Sequence, residues 1–321
     1  MNQFVTQLKT RKLTVQRDVP LSSLTSFHIG GPAKYFAVVE REEDLLSLLD
    51  IARENDIPVF IMGGGSNVLV ADEGFDGLVI HCQLGDVKFN GNVVYAGAGV
   101  ITAQLAAQTV AHGLTGLEWS VGIPGRIGGA IRGNAGAMGG EFKDAVVVVR
   151  YIDHEGVLHE RTQGACEFNY RESIFKRSGE IIVGCRMHLK SGDKEASQKM
   201  MREYLTHRNT TQPKGFGSSG CMFKNYECSD DEIEKLRALN VPDGMLDAKR
   251  ISAGWLVEYA DAKDVRVGGA EVSDIHGNFV VNSGDATAQD VRDVVNTVKQ
   301  KVKDRFGLDL HEEVQYIGFR Y

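Results

Sequence analysis

A run of three glycines between short apolar segments, Pro58-Val59-Phe60-Ile61-Met62-Gly63-Gly64-Gly65-Ser66-Asn67-Val68-Leu69-Val70, constrains this chain more than any other stretch. The apolar residues before the glycines read as a buried strand. Consecutive glycines let the backbone take positive φ and bring its N–H groups close to a ligand with no Cβ in the way. Ser66 and Asn67 add side-chain donors at the mouth of the turn. Such a turn after a strand is suited to phosphate held by backbone N–H groups. The residues beyond the turn exclude two familiar phosphate loops. No Gly-Lys-Ser/Thr is present, as a P-loop requires. Val68-Leu69-Val70-Ala71-Asp72 is short and rich in valine where a dinucleotide fingerprint needs a helix. The stretch reads as a strand–turn–strand cradle for a phosphorylated ligand, with an ordinary tight turn as the plainer alternative.

At 321 residues the chain is long enough for two or three domains with cores of their own. Its 42% hydrophobic and 25% charged residues are ordinary for a soluble globular protein. A formal charge of −7 without a local basic cluster speaks against a nucleic-acid partner. Five widely spaced cysteines, an odd number, favour a reducing compartment over a disulfide framework. Neither C-x-x-C nor H-E-x-x-H occurs, so no metal site is expected. Residues 1–10 are polar, without the apolar region of a signal peptide, and no apolar run reaches membrane-spanning length. The expectation is a cytoplasmic protein with no membrane partner.

In chain order, a helix-like start and a short extended piece precede a first glycine cluster at residues 25–33. Strands are expected at 35–39 and 77–80, and a helix at 43–55, where Leu45, Leu48 and Ile51 recur at helical spacing. Strand–helix–strand order predicts a small α/β unit here. Short strands at 87–89 and 93–96 come next, then a helix from Thr102 that Gly113 ends. The second glycine-rich region is Gly122-Ile123-Pro124-Gly125-Arg126-Ile127-Gly128-Gly129-Ala130, followed by Gly133-Asn134-Ala135-Gly136. It contains no G-x-G-x-x-G, and close packing of a short helix is its plainer explanation. Two such cradles in one small region favour a shared extended ligand, and a dinucleotide has the length to span both. Further strands are expected at 146–152 and 181–189, and helices at 193–207, 230–239 and 248–259. The clearest helix begins after Thr287, an N-cap with Asp290 three residues on. Val291, Val294, Val295, Val298, Val302 and Phe306 share its apolar face, and Gly307 stops it. Residues 313–319 alternate like an edge or returning strand.

Six segments resemble, in order, the MurB family of bacterial UDP-N-acetylenolpyruvoylglucosamine reductases. They are residues 25–33, residues 63–70, the second glycine region with Asn134, Tyr170-Arg171-x-Ser173, Gly220-Cys221-Met222-Phe223-Lys224-Asn225, and Glu312-Glu313-Val314. The resemblance spans nearly the whole chain. It implies an α+β fold, with a two-subdomain FAD-binding domain of the para-cresol methylhydroxylase/vanillyl alcohol oxidase type and a C-terminal α+β substrate-binding domain. The expected division is 1–82 and 83–207 for FAD and 208–309 for substrate, with 310–321 returning to the first subdomain. The short segment between Arg171 and Arg208 resembles the type II subgroup, which lacks an extra substrate-covering loop. A monomer is expected, with non-covalent FAD and with NADPH as co-substrate.

The chemistry implied by the resemblance has two half-reactions. NADPH reduces FAD and leaves, and the enolpyruvyl substrate takes its place. Hydride then passes from flavin N5 to the outer vinyl carbon, and protonation of its neighbour gives UDP-N-acetylmuramate, a peptidoglycan precursor. Negative charge builds on the substrate carboxylate, which suits a guanidinium that stays charged and binds two oxygens. Arg171 matches the family's arginine. Glu313 matches its C-terminal glutamate, which acts on the developing enolate as a protonated carboxyl, while Glu312 is expected to be solvated. Cys221 stands where the family has serine as proton donor. A thiol, with a reference pKa of about 8.5, is the stronger acid and is also oxidisable. By the same resemblance Gly63, Gly64, Gly65, Ser66 and Asn67 hold the FAD pyrophosphate, opposite Gly122, Ile123, Pro124, Gly125, Gly128, Gly129 and Asn134. Tyr170, Lys224, Asn225 and His276 face substrate. Tyr226 replaces the family's proline. Two alternatives stay open: an oxidase of the same fold with flavin tethered through His28, and a non-catalytic flavin- or nucleotide-sugar-binding sensor with Cys221 as its switch.

Overall fold

The computed structural model of the chain describes residues 3–319. Those residues form two compact units whose segments interleave along the chain. One takes in the described residues through Val19, Ala33–Gly64 and Asp76–Thr210; the other takes in Pro20–Pro32, Gly65–Phe75 and the chain from Thr211. The expected boundaries at 82 and 207 cut the chain differently, because 20–32 and 65–75 group with the C-terminal third. The chain crosses between units inside the glycine turn, after Gly64.

The chain opens with α1 (Gln3–Thr10), β1 (Gln16–Pro20), β2 (Pro32–Val39), α2 (Glu42–Glu54), β3 (Val59–Met62), β4 (Val68–Val70) and β5 (Phe75–Cys82). Acidic residues Glu42, Glu43 and Asp44 fill the first turn of α2, at the positive end of its dipole. Its buried Leu45, Leu48 and Ile51 share a core with Phe4, Tyr35, Leu78 and Ile80. The sheet beneath runs in the order β1-β2-β5-β3, with β3 and β5 parallel and Phe60 opposite Val79. Next come β6 (Val87–Asn90), β7 (Val93–Gly97), α3 (Thr102–Ala111) and α4 (Ile127–Arg132). Strands Val146–Ile152, Leu158–Thr162 and Ile181–His188 join β6 and β7 in a five-stranded antiparallel sheet, with Ile181–His188 between Val146–Ile152 and β7. Leu105 of α3 and Ile127 and Ile131 of α4 are buried in the core that includes Val94, Val149 and Met187. After α5 (Ile174–Ser178), α6 (Lys194–Thr211) starts where Asp193 Oδ1 accepts the Ala196 N–H. It runs four residues past the expected end at 207.

In the other unit β4 pairs in parallel with Gln315–Ile317, placing Leu69 beside Tyr316. The expected strand 313–319 is thus shorter, because Gly318 turns with φ +79°; residues 320–321 lie outside the described part. A 3₁₀ turn at Asp230–Glu232 leads into α7 (Ile233–Ala238). The helix expected over 248–259 starts later, as α9 (Ala253–Tyr259), after α8 (Asp243–Asp247) and a short strand Arg250–Ile251. The reason is local: Lys249 takes φ +51°, and Ser252 caps α9 by accepting the Trp255 N–H. The last helix, α10 (Ala288–Phe306), has the expected Thr287–Asp290 capping box and Gly307 stop. Asp72 adds a second cap by accepting the Ala288 N–H at 2.8 Å. The apolar face of α10 and the small antiparallel sheet Arg266–Val267, Ala270–Val272, Val280–Asn282 share this unit's core.

Candidate functional site

The glycines joining β3 to β4 are required for distinct reasons. A Cβ on Gly64 would stand 2.7 Å from the Cα of Gly125, so the two glycine-rich loops touch backbone to backbone. Gly65 has φ +62°, and its Cβ would fall 2.0 Å from the carbonyl oxygen of Leu24. Gly64, Pro124 and Gly129 are exposed or partly exposed, as are Gly63, Gly122, Ile123, Gly125 and Gly128 at the edges of the two loops. Ser66 and Asn67, both half-buried, continue the loop into the second unit. Arg126 stands at the N-cap of α4, where its Nη1 donates to the carbonyl of Gly99. Its Nε is buried with no hydrogen-bond partner. Burial, and then the Arg126 charge, hold His81 below the ordinary imidazole value. A buried guanidinium nitrogen in want of an acceptor, beside accessible glycine backbone, fits the diphosphate of a dinucleotide such as FAD.

Tyr170 and Arg171 form the tip of a tight turn closed by two 3.1 Å bonds, Asn169 N–H to Glu172 O and Glu172 N–H to Asn169 O. Arg171 takes φ +52°, a left-handed conformation uncommon for a residue with a side chain. Its Nη2 donates to the carbonyl of Gly136 at 2.7 Å, and its Cζ lies 5.1 Å from the Tyr170 ring centre. Lys176 Nζ donates to the Arg171 carbonyl at 2.6 Å. Asn134, expected to touch the cofactor, is 0% exposed. Its Nδ2 donates to Glu141 Oε2 and to Asn169 O, both at 3.0 Å, and its Oδ1 accepts the Lys143 N–H at 3.0 Å. A side chain so enclosed has no surface for a ligand, so the expectation of direct contact is corrected.

In the second unit Cys221 follows Gly220, whose φ is +78°. The segment it opens is clamped on two sides. On one side, Met222 N–H donates to Asn278 O at 2.7 Å, and Cys221 bridges to Phe279. On the other, Glu313 N–H donates to Met222 O at 2.8 Å and Lys224 N–H to His311 O at 2.9 Å. Cys221 and Glu313 thus lie on adjoining main-chain segments; Arg171 belongs to the other unit. Cys221 is partly exposed, whereas Cys82, Cys166, Cys185 and Cys228 are buried. Burial pushes the Cys166 thiol up to about 11 and that of Cys185 to about 12. Glu313 is half-buried. Glu312, expected to be solvated, is also half-buried and is held by Lys299 Nζ at 3.1 Å.

Asn225, expected at the substrate, uses its Oδ1 to accept the Ala253 N–H at 3.1 Å, which ties the motif to the start of α9. His276 Nδ1 accepts the Asn278 N–H at 3.2 Å, and burial holds its imidazole below the ordinary value and so uncharged at neutral pH. Asn278 is a residue that sequence reasoning misses. It is 3% exposed, and its carboxamide brackets the Phe223 main chain with two 2.8 Å bonds. The available signal is a carboxamide directly before Phe279-Val280-Val281, since a polar group at the head of a buried strand needs partners.

Residues 33–161 match the FAD-binding-domain family, and residues 212–317 match the C-terminal domain of UDP-N-acetylenolpyruvoylglucosamine reductase. Fold and cradle together define an α+β flavoprotein of the oxidoreductase class. Among curated relatives, the UDP-N-acetylenolpyruvoylglucosamine reductase of Alkaliphilus oremlandii is 37% identical over 303 residues, covering 94% of this chain and 92% of its own. That of Heliobacterium modesticaldum is 39% identical over 301 residues, covering 93% and 89%. The crystal structure of UDP-N-acetylenolpyruvylglucosamine reductase from Thermus caldophilus matches 95% of this chain and 99% of its own, at 34% identity and a TM-score of 0.75. The chain belongs to the UDP-N-acetylenolpyruvoylglucosamine reductase (MurB) family.

Proposed function

We propose that the chain reduces UDP-N-acetylenolpyruvoylglucosamine to UDP-N-acetylmuramate with NADPH and non-covalent FAD, as a step of peptidoglycan precursor synthesis. The observation that carries this reading is the placement of Cys221 and Glu313 on adjoining segments, tied by the 2.8 Å bond from Glu313 N–H to Met222 O. Residues 33–161, which match the FAD-binding domain, hold the flavin, and residues 212–317, which match the family's C-terminal domain, hold the nucleotide sugar.

FAD held there would supply the redox chemistry, hydride transfer from NADPH to the outer vinyl carbon of the substrate. The chain's own residues do the rest. Gly63, Gly64 and Gly65 offer backbone N–H groups to the diphosphate from one side, and Gly125, Arg126 and Gly129 do so from the other. Arg171 binds the substrate carboxylate and stabilises the charge that gathers there, an interaction stronger in the transition state than in the ground state. Glu313, as a protonated carboxyl, donates a hydrogen bond to the enolate oxygen. Cys221 gives its Sγ proton to the carbon beside the carboxylate and is left as thiolate, which water then reprotonates. Lys224 and Tyr170 meet the nucleotide sugar or nicotinamide. Asn225, through the Ala253 N–H, and His276, through the Asn278 N–H, brace the segment that carries Lys224.

The test is NADPH oxidation by purified, FAD-loaded protein. Oxidation that depends on the enolpyruvyl substrate is expected; none would overturn the reading and favour the non-catalytic sensor. Acid precipitation should leave free flavin in solution. Flavin retained on the pellet would favour a covalent oxidase instead.

A further inference from the structure

We propose that Asn134 and Glu141 are positioning residues for Arg171, setting the direction of its guanidinium through the turn that carries it. The inference rests on the proposed role of Arg171 at the substrate carboxylate. Three observations within one unit carry it. First, the Asn134 carboxamide is 0% exposed, and both hydrogens of Nδ2 are used, one on Glu141 Oε2 and one on Asn169 O. Second, that Asn169 oxygen also accepts the Glu172 N–H that closes the Tyr170–Arg171 turn, so its two lone pairs are both engaged. Third, Arg171 Nη2 is anchored on the carbonyl of Gly136, two residues from Asn134.

The chemistry selects these side chains. A single group must give two hydrogen bonds and accept one, from a backbone with φ +39°. Asparagine does this and tolerates the left-handed region. Aspartate would present a second carboxylate to Glu141 and give neither bond. Burial alone would raise the Glu141 carboxyl, but Lys143, Asn134 and Arg171 outweigh it and hold the group below its ordinary value. Glu141 is therefore held as an anion, with the Arg171 charge among the groups that keep it so. Arg171 occupies its left-handed conformation because the turn on either side of it is tied down, by Asn134 at Asn169 O and by Lys176 Nζ at its own carbonyl.

The experiment uses the FAD-loaded enzyme and separates flavin reduction by NADPH from flavin reoxidation by the enolpyruvyl substrate. Asn134→Ala should slow reoxidation about 100-fold and leave reduction within about threefold. Combined with Arg171→Ala, it should add no further loss, because the two act as one unit. In the FAD-free protein, Asn134→Ala should also speed amide hydrogen exchange at Glu172, a readout that needs no catalysis. Should that variant not fold, Glu141→Leu removes the acceptor from a side chain that is 20% exposed and should give the same split. Glu141→Gln, which keeps an acceptor for Asn134, should retain more reoxidation than Glu141→Leu. Equal losses in both half-reactions, or losses that multiply in the double variant, would overturn the inference while leaving Arg171 its role. Normal reoxidation by Arg171→Ala alone would remove that role and the inference with it.

Discussion

Asn67 Nδ2 donates to the main-chain carbonyl of Glu313 at 3.2 Å. The last residue of the glycine turn therefore fixes the backbone of the candidate enolate donor. Gln315 N–H returns to Asn67 O at 3.1 Å, and the parallel pairing of β4 with Gln315–Ile317 continues from there. Replacing Asn67 by Ala removes the donor and with it one tie on this backbone. The expected cost is about 1 kcal/mol in urea unfolding, with substrate-dependent flavin reoxidation slowed about tenfold. Reoxidation at the wild-type rate would show that the bond does not position Glu313.

Cys221 carries the next prediction. The partly exposed Cys221, unlike the four buried thiols, has access to solvent and reagents. Cys221→Ala should lose reoxidation by about 10²-fold or more while NADPH still reduces the flavin. Cys221→Ser should keep useful turnover, because a hydroxyl can deliver the same proton. Peroxide should inactivate the wild type and spare Cys221→Ser, since only the thiol climbs the oxidation ladder. Rapid-mixing absorbance at the flavin band measures both steps. An alanine variant that turns over like wild type would remove Cys221 from the chemistry.

Arg126 makes a binding prediction. Its Nε is buried without an acceptor, beside loops that meet at Gly64 and Gly125. Arg126→Met keeps much of the side-chain length and removes the charge. FAD affinity should fall about tenfold or more, and retention should become less sensitive to salt, because one charge-assisted contact is gone. Flavin fluorescence released on dilution, at low and high salt, reports both. Unchanged affinity with an unchanged salt slope would place the diphosphate away from Arg126.

Much of this fold is readable from local chemistry. The capping box and apolar face of α10 and the leucine spacing of α2 need no tertiary information, because helix periodicity and end chemistry are local. The start of the helix expected over 248–259 reads wrongly for the same reason. Its apolar spacing suits a helix, and nothing nearby shows that Lys249 turns left-handed or that Asn225 will start α9. Asn134 shows the limit at the site. Its place in a glycine-rich motif suggests a ligand contact, but its partners Asn169 and Glu141 are fixed only once the chain has folded. The roles of Arg171, Cys221 and Glu313 come through resemblance; spacing alone cannot join residues so far apart.

The response to acid is set in part by Glu118, which is 3% exposed yet ionised. Burial alone would raise its pKa, but three donors outweigh it and the net direction is down. Ser197 Oγ and Thr115 Oγ1 bond Oε1 at 2.5 and 2.6 Å, and Gly116 N–H bonds Oε2 at 2.8 Å. The folded state therefore binds this proton more weakly than the unfolded chain does, whose glutamate titrates at about 4.3. The stabilisation is fully present above that value and is lost as pH falls through the lower folded pKa. Glu118→Gln cannot ionise and turns one of three accepting arrangements into a clash of donors. It should lower stability at pH 7 by about 2 kcal/mol, and the gap to wild type should narrow as pH drops below about 4. Urea unfolding midpoints at a series of pH values measure this directly. A gap that stays constant between pH 7 and pH 3 would mean that the ionised carboxylate contributes nothing to holding Thr115 and Ser197 together.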